Sequence, residues 1–512
     1  MEKYTDMPQN GGFQQLVCDK TVFTELSGDF TLPDYQPEIK RLLRVSASVL
    51  PPSKYVGNHG ASLAGNLDYY VLYTGSDNAL YCAPLSAEYK VEIPLDRADE
   101  LGDGYLQNLS AVADSVPDMI SGRVTAPRKI SIKCRLMSRV QIFGELPLEN
   151  GFDESDGSLQ MLYGKSDALK RCSGVGETVK VTDEMICDSR DGEIRVISAE
   201  GRVLITEASH SVGNVFCRGD LYLKLLLCRE GGDLPYVAVR KIPISGNVSV
   251  EGAKDGADAN ARGSVSELSI TVEEGRIGIE AGVLLEVETC HREEIGYVKD
   301  VYSVSRAAAN SYKDVPVLSS GESFGGNFTL SDSLSLEEAG IGHGARIIDV
   351  CGVAKTDDGV SDGERCQVTG KVRFSLLCEK DGEYSVSEAE LPFTYRTAVK
   401  GGFDKVSSSA EVISARARVD GERLGIDAEI GIIGVAYSIE NKKMLSEVAF
   451  GDVCHKGRGE FVVCYPAFDD SAWSVAKRYG VELAKFQDAN GLDRDLPADS
   501  QDALNGVKYL VI

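Results

Sequence analysis

The side chains that could bind a metal ion are few and poorly spaced for that purpose. The chain has five histidines: His59, His210, His291, His343 and His455. A zinc site draws on pairs of His or Cys a few residues apart, and the sequence has neither two histidines four positions apart nor a CxxC pair. Cys454 and His455 are adjacent and cannot both reach one ion well. The sequence therefore predicts no metal site and no cofactor.

The motifs that bind phosphate are incomplete. Gly370 and Lys371 stand together, but Arg365 occupies the first glycine position of a P-loop, and Val372 stands where a Ser or Thr is needed. The alternating glycines of GIGHGAR (340–346) precede a strand, whereas a dinucleotide cradle follows a strand and opens a helix. This segment predicts a turn, and nucleotide binding is not expected.

Paired carboxylates are the remaining candidates for catalysis. Glu273 with Glu274, or Asp357 with Asp358, could form the pair of acids that a glycosidase places across a glycosidic bond. Both pairs fall in hairpin or loop segments, where solvated turns are the more common role. Because no nucleophile, base and orienting group can be assigned, we expect that the protein is not an enzyme.

The charge balance excludes whole classes of partner. The chain of 512 residues carries 54 basic and 79 acidic side chains, a formal charge of −25. Such a chain repels nucleic acid and anionic lipid. No stretch approaches the roughly 18 apolar residues of a membrane span, and the start, MEKYTDMPQNGGF, does not resemble a signal peptide. Thirteen cysteines without a CxxC pair indicate reduced thiols and a cytoplasmic location.

The sequence contains three copies of one unit. Segments 195–228 and 346–378 align at a separation of 151, and a more diverged copy begins at Arg44. Three sets of landmarks mark the copies: the glycines Gly65, Gly219 and Gly370, the prolines Pro94, Pro243 and Pro392, and the closing strands that start at Ile130, Ile277 and Leu424.

The pattern within each copy predicts antiparallel β structure. The closing strand alternates apolar and polar residues with a period of two, as a half-buried strand does. The strands LDYYVLY, LYLKLLLC and VRFSLLC each run into a turn rich in Gly or Asp, which predicts a hairpin. We therefore predict a mostly β chain of three tandem antiparallel repeats, of β-sandwich or half-barrel form, followed by a small βααβ domain.

The predicted units are 1–150, 151–298 and 299–453, with a C-terminal domain at 454–512. Within the repeats, short helices are predicted only at 37–43 and 158–172. Segments rich in Gly, Ser and Asp are interpreted as connectors that also give a strand to the neighbouring unit, at about 145–190 and 300–345.

The C-terminal domain has a different pattern. It predicts a strand at 461–465, a helix capped by Asp470 or Ser471 and ended by Gly480, a second helix at 481–489 and a closing strand at 508–512.

This domain resembles a LysM domain, and the matching residues are Asp469, Asp470, Ser471, Ala472, Trp473, Val475, Ala476, Tyr479, Asn490, Leu492, Gly506, Leu510 and Ile512. LysM domains bind N-acetylglucosamine polymers in a groove between the turn after the first strand and the turn after the second helix. The resemblance implies partner or glycan contacts at Asp470, Ser471, Trp473, Asn490, Gly491 and Leu492.

Two questions about this groove stay open in the sequence. Carboxylates crowd both turns and suit a basic protein surface better than a glycan: Asp469, Asp470, Asp493, Asp495, Asp499 and Asp502. Trp473, the only tryptophan, fits either the core of a small domain or a contact with a ligand.

Three β repeats ahead of a LysM domain resemble the SPOCS-domain proteins of endospore-forming bacteria. The resemblance is carried by the segment LPDYQPEIKRLLRVSASV (32–49), by KDVYSV (299–304) and by the repeated strand before each hairpin. It implies a mother-cell cytoplasmic scaffold at the forespore surface. Its LysM domain would dock to a SpoIVA-like spore morphogenetic ATPase, and open sheet edges would serve assembly with other coat proteins. The alternative is a protein that binds peptidoglycan or N-acetylglucosamine.

Overall fold

A computed structural model of the chain describes residues 12–57, 59–95, 106–148, 158–186, 193–211, 213–229, 234–273, 275–453 and 462–512. It confirms a mostly β fold with a small helical region at the C-terminus. Unit 1 consists of β1 (Phe13–Thr31), β2 (Arg41–Val49), β3 (Ser53–Gly57), β4 (Gly60–Thr74), β5 (Leu80–Pro94), β6 (Gln107–Ala126) and β7 (Lys129–Leu146).

The next two units have a similar order of strands, except that in unit 2 the second strand pairs with the closing strand of the unit and the counterparts of β2 and β3 are joined in one strand. Unit 2 consists of β8 (Leu159–Val175), β9 (Val179–Ile186), β10 (Ile194–Ser211), β11 (Asn214–Arg229), β12 (Tyr236–Ser249), β13 (Asp258–Glu273) and β14 (Arg276–Ser303). Unit 3 consists of β15 (Arg306–Ser335), β16 (Arg346–Thr356), β17 (Val360–Asp362), β18 (Arg365–Lys380), β19 (Glu383–Ala398), β20 (Lys405–Asp420) and β21 (Arg423–Val453).

Each unit is built from two antiparallel sheets. In unit 1, β7 lies between β1 and β6, while β4 pairs with β2, β3 and β5. In units 2 and 3, β14 and β21 take the place of β7, and β11 and β18 take the place of β4. The two sheets of each unit contact each other through edge strands, β2 with β6, β10 with β13 and β16 with β20, and apolar residues of both sheets share one core.

The predicted alternation is confirmed in the closing strands. Ile130, Ile132, Cys134 and Leu136 of β7 are fully buried, and their counterparts on β14 and β21 also lie in the core between the sheets. The three hairpins β4–β5, β11–β12 and β18–β19 form as predicted. Pro94, Pro243 and Pro392 lie on β5, β12 and β19, which pair on one side only, where a residue without an N–H is tolerated.

The glycines that mark the repeats lie where the backbone of a neighbouring strand comes close. A Cβ at Gly219 would lie 2.2 Å from the carbonyl oxygen of Leu204, and a Cβ at Gly370 would lie 2.2 Å from that of Lys355. At Gly65 a Cβ would lie 3.0 Å from the ring of Tyr89. These positions admit no larger residue without a shift of the chain.

The three units close into a ring. The strand β5 of unit 1 contacts β10 of unit 2, β12 of unit 2 contacts β16 of unit 3, and β19 of unit 3 contacts β2 of unit 1. Each unit therefore meets the next one in the same way, around a pseudo-threefold axis. The strands β5, β12 and β19 thus each contact a neighbouring unit, and the use of open sheet edges for assembly stays a prediction.

A β-bulge fixes the alignment of the three units. Leu43 on β2, Ile197 on β10 and Ile348 on β16 are each skipped in the pairing register, at separations of 154 and 151. These separations also hold for the repeated glycines. The counterpart of Arg195 and Arg346 is therefore Arg41, and our alignment of Arg44 with these residues was wrong by three positions.

Equivalent side chains meet on the axis. One buried cluster contains Leu72, Leu226 and Leu377 together with the three bulged residues. Each of these leucines pairs with the residue that follows a bulge. In a second cluster Phe143, Cys290 and Tyr437 meet at separations of 147 and 147. Apolar burial at equivalent positions holds the ring together.

Charged groups on the axis differ between the units. Arg44 of unit 1 donates to Asp349 of unit 3 at 3.1 Å, and Lys224 of unit 2 donates to the same carboxylate at 2.9 Å. The pairing register makes Arg44, Ser198 and Asp349 equivalent positions. One position thus carries a cation, a neutral residue and an anion, so the three units are complementary rather than interchangeable.

Two predicted helices are wrong. Segment 158–172 forms most of β8, because Leu159–Val175 pairs with β14 along its length. At 37–43 there is no helix, and β2 begins at Arg41. The expected connector at 300–345 is largely the strand β15, which gives unit 3 the strand we expected, while part of the first connector (149–157) lies outside the described residues.

The C-terminal domain contains β22 (Val463–Cys464), α1 (Ala472–Tyr479), α2 (Leu483–Ala489), a 3₁₀ helix (Gln501–Leu504) and β23 (Leu510–Val511). The strands pair antiparallel, which agrees with the predicted βααβ order. In the described part of the chain, no helix has the length and apolar character needed to span a membrane.

Candidate functional site

The first helix of the C-terminal domain begins and ends as its sequence predicts. The Ser471 hydroxyl accepts from the Ser474 N–H at 3.1 Å, and the Ser474 hydroxyl accepts from the Ser471 N–H at 2.9 Å, which completes a capping box. Gly480 ends the helix in the left-handed conformation, with φ of 61°. Of the two residues proposed as the cap, Ser471 fills the position.

Asp470 is directed into the domain rather than outward. It is buried, accepts from the Ala467 N–H at 2.9 Å and pairs with Arg478. The hydrogen bonds from Arg478 lower the pKa of Asp470, although burial opposes them. The carboxylate of Asp470 therefore stabilises the turn after β22 and connects this turn to α1.

Trp473 lies in the junction between the C-terminal domain and unit 2. Its side chain is only 4% exposed, and Nε1 donates to Asp300 on β14 at 2.8 Å. Its ring packs edge-on against Tyr302, with 4.8 Å between ring centroids. Because its indole N–H is bonded and its ring is covered, Trp473 does not line an exposed groove.

Asp300 is the centre of this junction. It accepts from Lys477 at 2.7 Å and from Tyr312 at 2.7 Å, in addition to Trp473. Burial would raise the pKa of Asp300, but these hydrogen bonds outweigh it and lower the pKa. Tyr302 adds a hydrogen bond from its hydroxyl to the Val481 carbonyl at 2.8 Å.

Sequence reasoning did not identify these partners. The segment quoted for the family resemblance, KDVYSV, contains Asp300 and Tyr302. It also contains Lys299, which pairs with Asp499. The signal was therefore present in the sequence, but nothing in it joined this segment to a helix some 170 positions further on.

Asn490 joins the end of α2 to the last strand. Its amide nitrogen donates to the carbonyls of Phe486 and Val511 at 2.8 Å each, and its Oδ1 accepts from the Val511 N–H at 2.6 Å. Leu492 is buried in the core of the domain. Of the six predicted contact residues, only Gly491, with φ of 60°, is exposed. A binding role for the six stays a prediction.

Exposed aromatic side chains flank the two strands of the small sheet. Cys464 and Leu510 are paired and buried, whereas Tyr465, which follows Cys464, and Tyr509, which precedes Leu510, are exposed. Tyr465 is 77% exposed and Phe468, in the turn before α1, is 97% exposed. We call Tyr465, Phe468 and Tyr509 the aromatic face. The same domain exposes the carboxylates of Asp469, Asp488, Asp493, Asp495 and Asp502.

Among the described residues, no three His, Cys, Asp or Glu side chains are placed to share a metal ion. Cys454, His455 and Glu274, which were considered for metal or acid chemistry, lie outside the described residues.

Comparisons with known proteins assign the C-terminal domain. Residues 468–498 match the LysM domain family. The chain therefore carries a C-terminal LysM domain, a family signature of peptidoglycan or N-acetylglucosamine binding. The search of curated proteins finds no match, and neither does the search of solved structures.

Proposed function

We propose that the chain is a non-enzymatic scaffold whose LysM domain docks a partner protein through the aromatic face. One observation carries this proposal: Phe468 and Tyr465 are exposed to solvent while Trp473 is held in the junction. Exposed aromatic side chains are the residues that dominate protein interfaces. The exposed carboxylates of the domain favour a basic partner surface.

The resemblance to SPOCS-domain proteins supports a particular setting. The architecture of three β units and a LysM domain is similar to that of SipL, a spore coat protein. The partner would then be a SpoIVA-like morphogenetic ATPase together with other coat proteins, and the location would be the mother-cell cytoplasm at the forespore surface.

Binding of the full-length chain to the purified morphogenetic ATPase tests the proposal. In interferometry, Tyr465→Ala with Phe468→Ala is expected to weaken binding by at least about tenfold, because central aromatic contacts contribute most of an interface's affinity. Tyr35→Ala is the matched control, since this tyrosine is 76% exposed on unit 1. Equal binding by the wild type and the double variant would refute docking through this face.

The second candidate function is binding of peptidoglycan or another N-acetylglucosamine polymer, which the LysM match favours. Gly491 is exposed beside the turn after α2, and a Cβ there would meet nothing within 4 Å. Asn tolerates the left-handed conformation, so Gly491→Asn adds a side chain to the groove with little strain. If the groove binds glycan, this variant should reduce co-sedimentation with purified cell wall and leave ATPase binding unchanged.

A further inference from the structure

A cavity of about 650 Å³ lies where the three units meet. Its walls include Asp114 of unit 1, Arg202 and Arg262 of unit 2 and Glu411 of unit 3. Its volume is in the range of small-molecule sites, which combine apolar walls with a few polar groups. Neither the LysM match nor the proposed docking face involves this cavity.

Most of its charged groups already have partners. Arg262 donates to Glu286 at 2.8 Å, to Asp114 at 3.1 Å and to the Ala113 carbonyl at 3.0 Å. Lys54 holds the other oxygen of Glu286 at 3.2 Å. These hydrogen bonds join units 1 and 2, and they leave these groups few donors or acceptors for a ligand.

Arg202 and Glu411 differ from this set. Their closest nitrogen and oxygen atoms are 3.6 Å apart, too far for a good hydrogen bond. Within the described part of the chain, neither side chain has a hydrogen-bond partner closer than this. Their side chains are 29% and 44% exposed, and both line the cavity. Burial raises the pKa of Glu411, as expected for a carboxyl group with too few donors.

An apolar wall adjoins this ion pair. Leu204 lies two positions after Arg202 on β10 and therefore on the same face of the strand. A Cβ at Gly431 would lie 3.3 Å from Leu204 and 3.5 Å from Ile413, so the two side chains converge on one part of the wall. All three residues line the cavity.

We propose that the cavity binds a free α-amino acid with an apolar side chain. Arg202 would bind its carboxylate, Glu411 its ammonium group, and Leu204 and Ile413 its side chain. An α-amino acid carries its ammonium and carboxylate groups on the same carbon, so it fits an ion pair whose members are close together but not hydrogen-bonded. Binding replaces one loose ion pair by charge-assisted hydrogen bonds and buries apolar surface.

Calorimetric titration of the full-length chain with L-phenylalanine tests this proposal. We expect saturable binding that falls by at least about tenfold in Arg202→Gln and in Glu411→Gln, since each loses a charge-assisted bond. N-acetyl-L-phenylalanine and L-phenylalaninamide each lack one of the two charges. They should bind the wild-type protein as weakly as L-phenylalanine binds the two variants. Arg240→Gln is the control, because Arg240 is an exposed partner of Asp183 outside the cavity and should leave the affinity within about twofold.

A second variant separates binding from folding. Ser409 lines the cavity, and Ser409→Phe fills space without removing a charge. It should abolish binding of L-phenylalanine while thermal unfolding of the unliganded protein stays cooperative. Absence of saturable binding by the wild type would overturn the proposal. So would unchanged affinity in Arg202→Gln or in Ser409→Phe.

Discussion

The indole of Trp473 donates to the carboxylate of Asp300 over 2.8 Å, which joins the LysM domain to strand β14. Asp300 also holds Lys477 of the same helix, and Tyr302 bonds the Val481 carbonyl. One helix of the LysM domain is thus fixed on unit 2 through both charge and packing. Because Trp473 is the only tryptophan, its fluorescence reports on this junction alone.

Removal of the acceptor should open the junction. Asp300→Ala leaves the Trp473 N–H and the Lys477 ammonium without their partner, and we expect a loss of about 2 kcal/mol or more in the free energy of the junction. The tryptophan emission should shift to longer wavelength. The midpoint of urea unfolding, followed by this emission, should fall.

Asp427→Ala is the control for this experiment, because Asp427 is exposed and, among the described residues, its carboxylate accepts one hydrogen bond, from a serine hydroxyl on the neighbouring strand. It should leave both the emission and the midpoint unchanged. Emission of Asp300→Ala identical to that of the wild type would contradict the role given to this carboxylate.

The junction should also respond to acid in a defined direction. Because the pKa of Asp300 is lowered in the folded protein, the stability it contributes is complete above the ordinary aspartate pKa of about 3.9 and is lost as the pH falls through the lower, folded value. The emission of Trp473 should therefore stay constant from neutral pH to about 4 and shift only below it. Asp300→Asn has no such titration, so any acid shift in that variant would assign the transition to other groups.

The buried ion cluster on the axis should matter far more than an exposed pair between the same two units. Asp349 is almost fully buried between Arg44 and Lys224. In addition, Nε and Nη1 of Arg44 have no acceptor among the described residues. Asp349→Asn removes the carboxylate that Arg44 and Lys224 share and leaves Glu200, 3.5 Å from Lys224, as the remaining anion of the cluster, so we expect a loss of about 3 kcal/mol or more in the free energy of unfolding.

The matched control is Glu383→Gln. Arg41 and Glu383 also join units 1 and 3, but they are 3.9 Å apart and more than half exposed. The loss should be below about 1 kcal/mol. Chemical denaturation of both variants measures the two losses in the free energy of unfolding. Similar losses would show that the axial cluster contributes no more stability than the exposed pair.

The sequence predicted the strands well where burial alone decides them. Alternation in β7 and the turn residues of the hairpins are local signals, and the cap of α1 needs only Ser471, Ser474 and Gly480. The alignment of unit 1 failed because Arg41 and Arg44 both begin plausible matches to Arg195. Only the bulge at Leu43, visible in the pairing register, decides between the two.

The segment that became β8 shows a second limit. The helix predicted at 158–172 included Lys170 and Arg171, yet both side chains are buried in the strand, beside Glu145 and Glu288 respectively. Arg171 also lies over the ring of Phe143, 4.4 Å from its centroid. Partners on strands distant in sequence override local propensity, and no pattern within the segment reveals them.

Loss of Asn490 should disrupt the fold of the LysM domain before it affects any ligand. Asn490→Ala removes two hydrogen bonds with Val511 that tie the end of α2 to β23 and a third with Phe486 within α2, so we expect a loss of about 1–3 kcal/mol in the stability of this domain. Protease resistance of the domain should fall, and amide protection in β23 should fall with it. Gly491→Asn, on the adjacent exposed position, should leave both unchanged. If Asn490→Ala kept full protease resistance and lost only cell-wall binding, Asn490 would instead be a glycan contact.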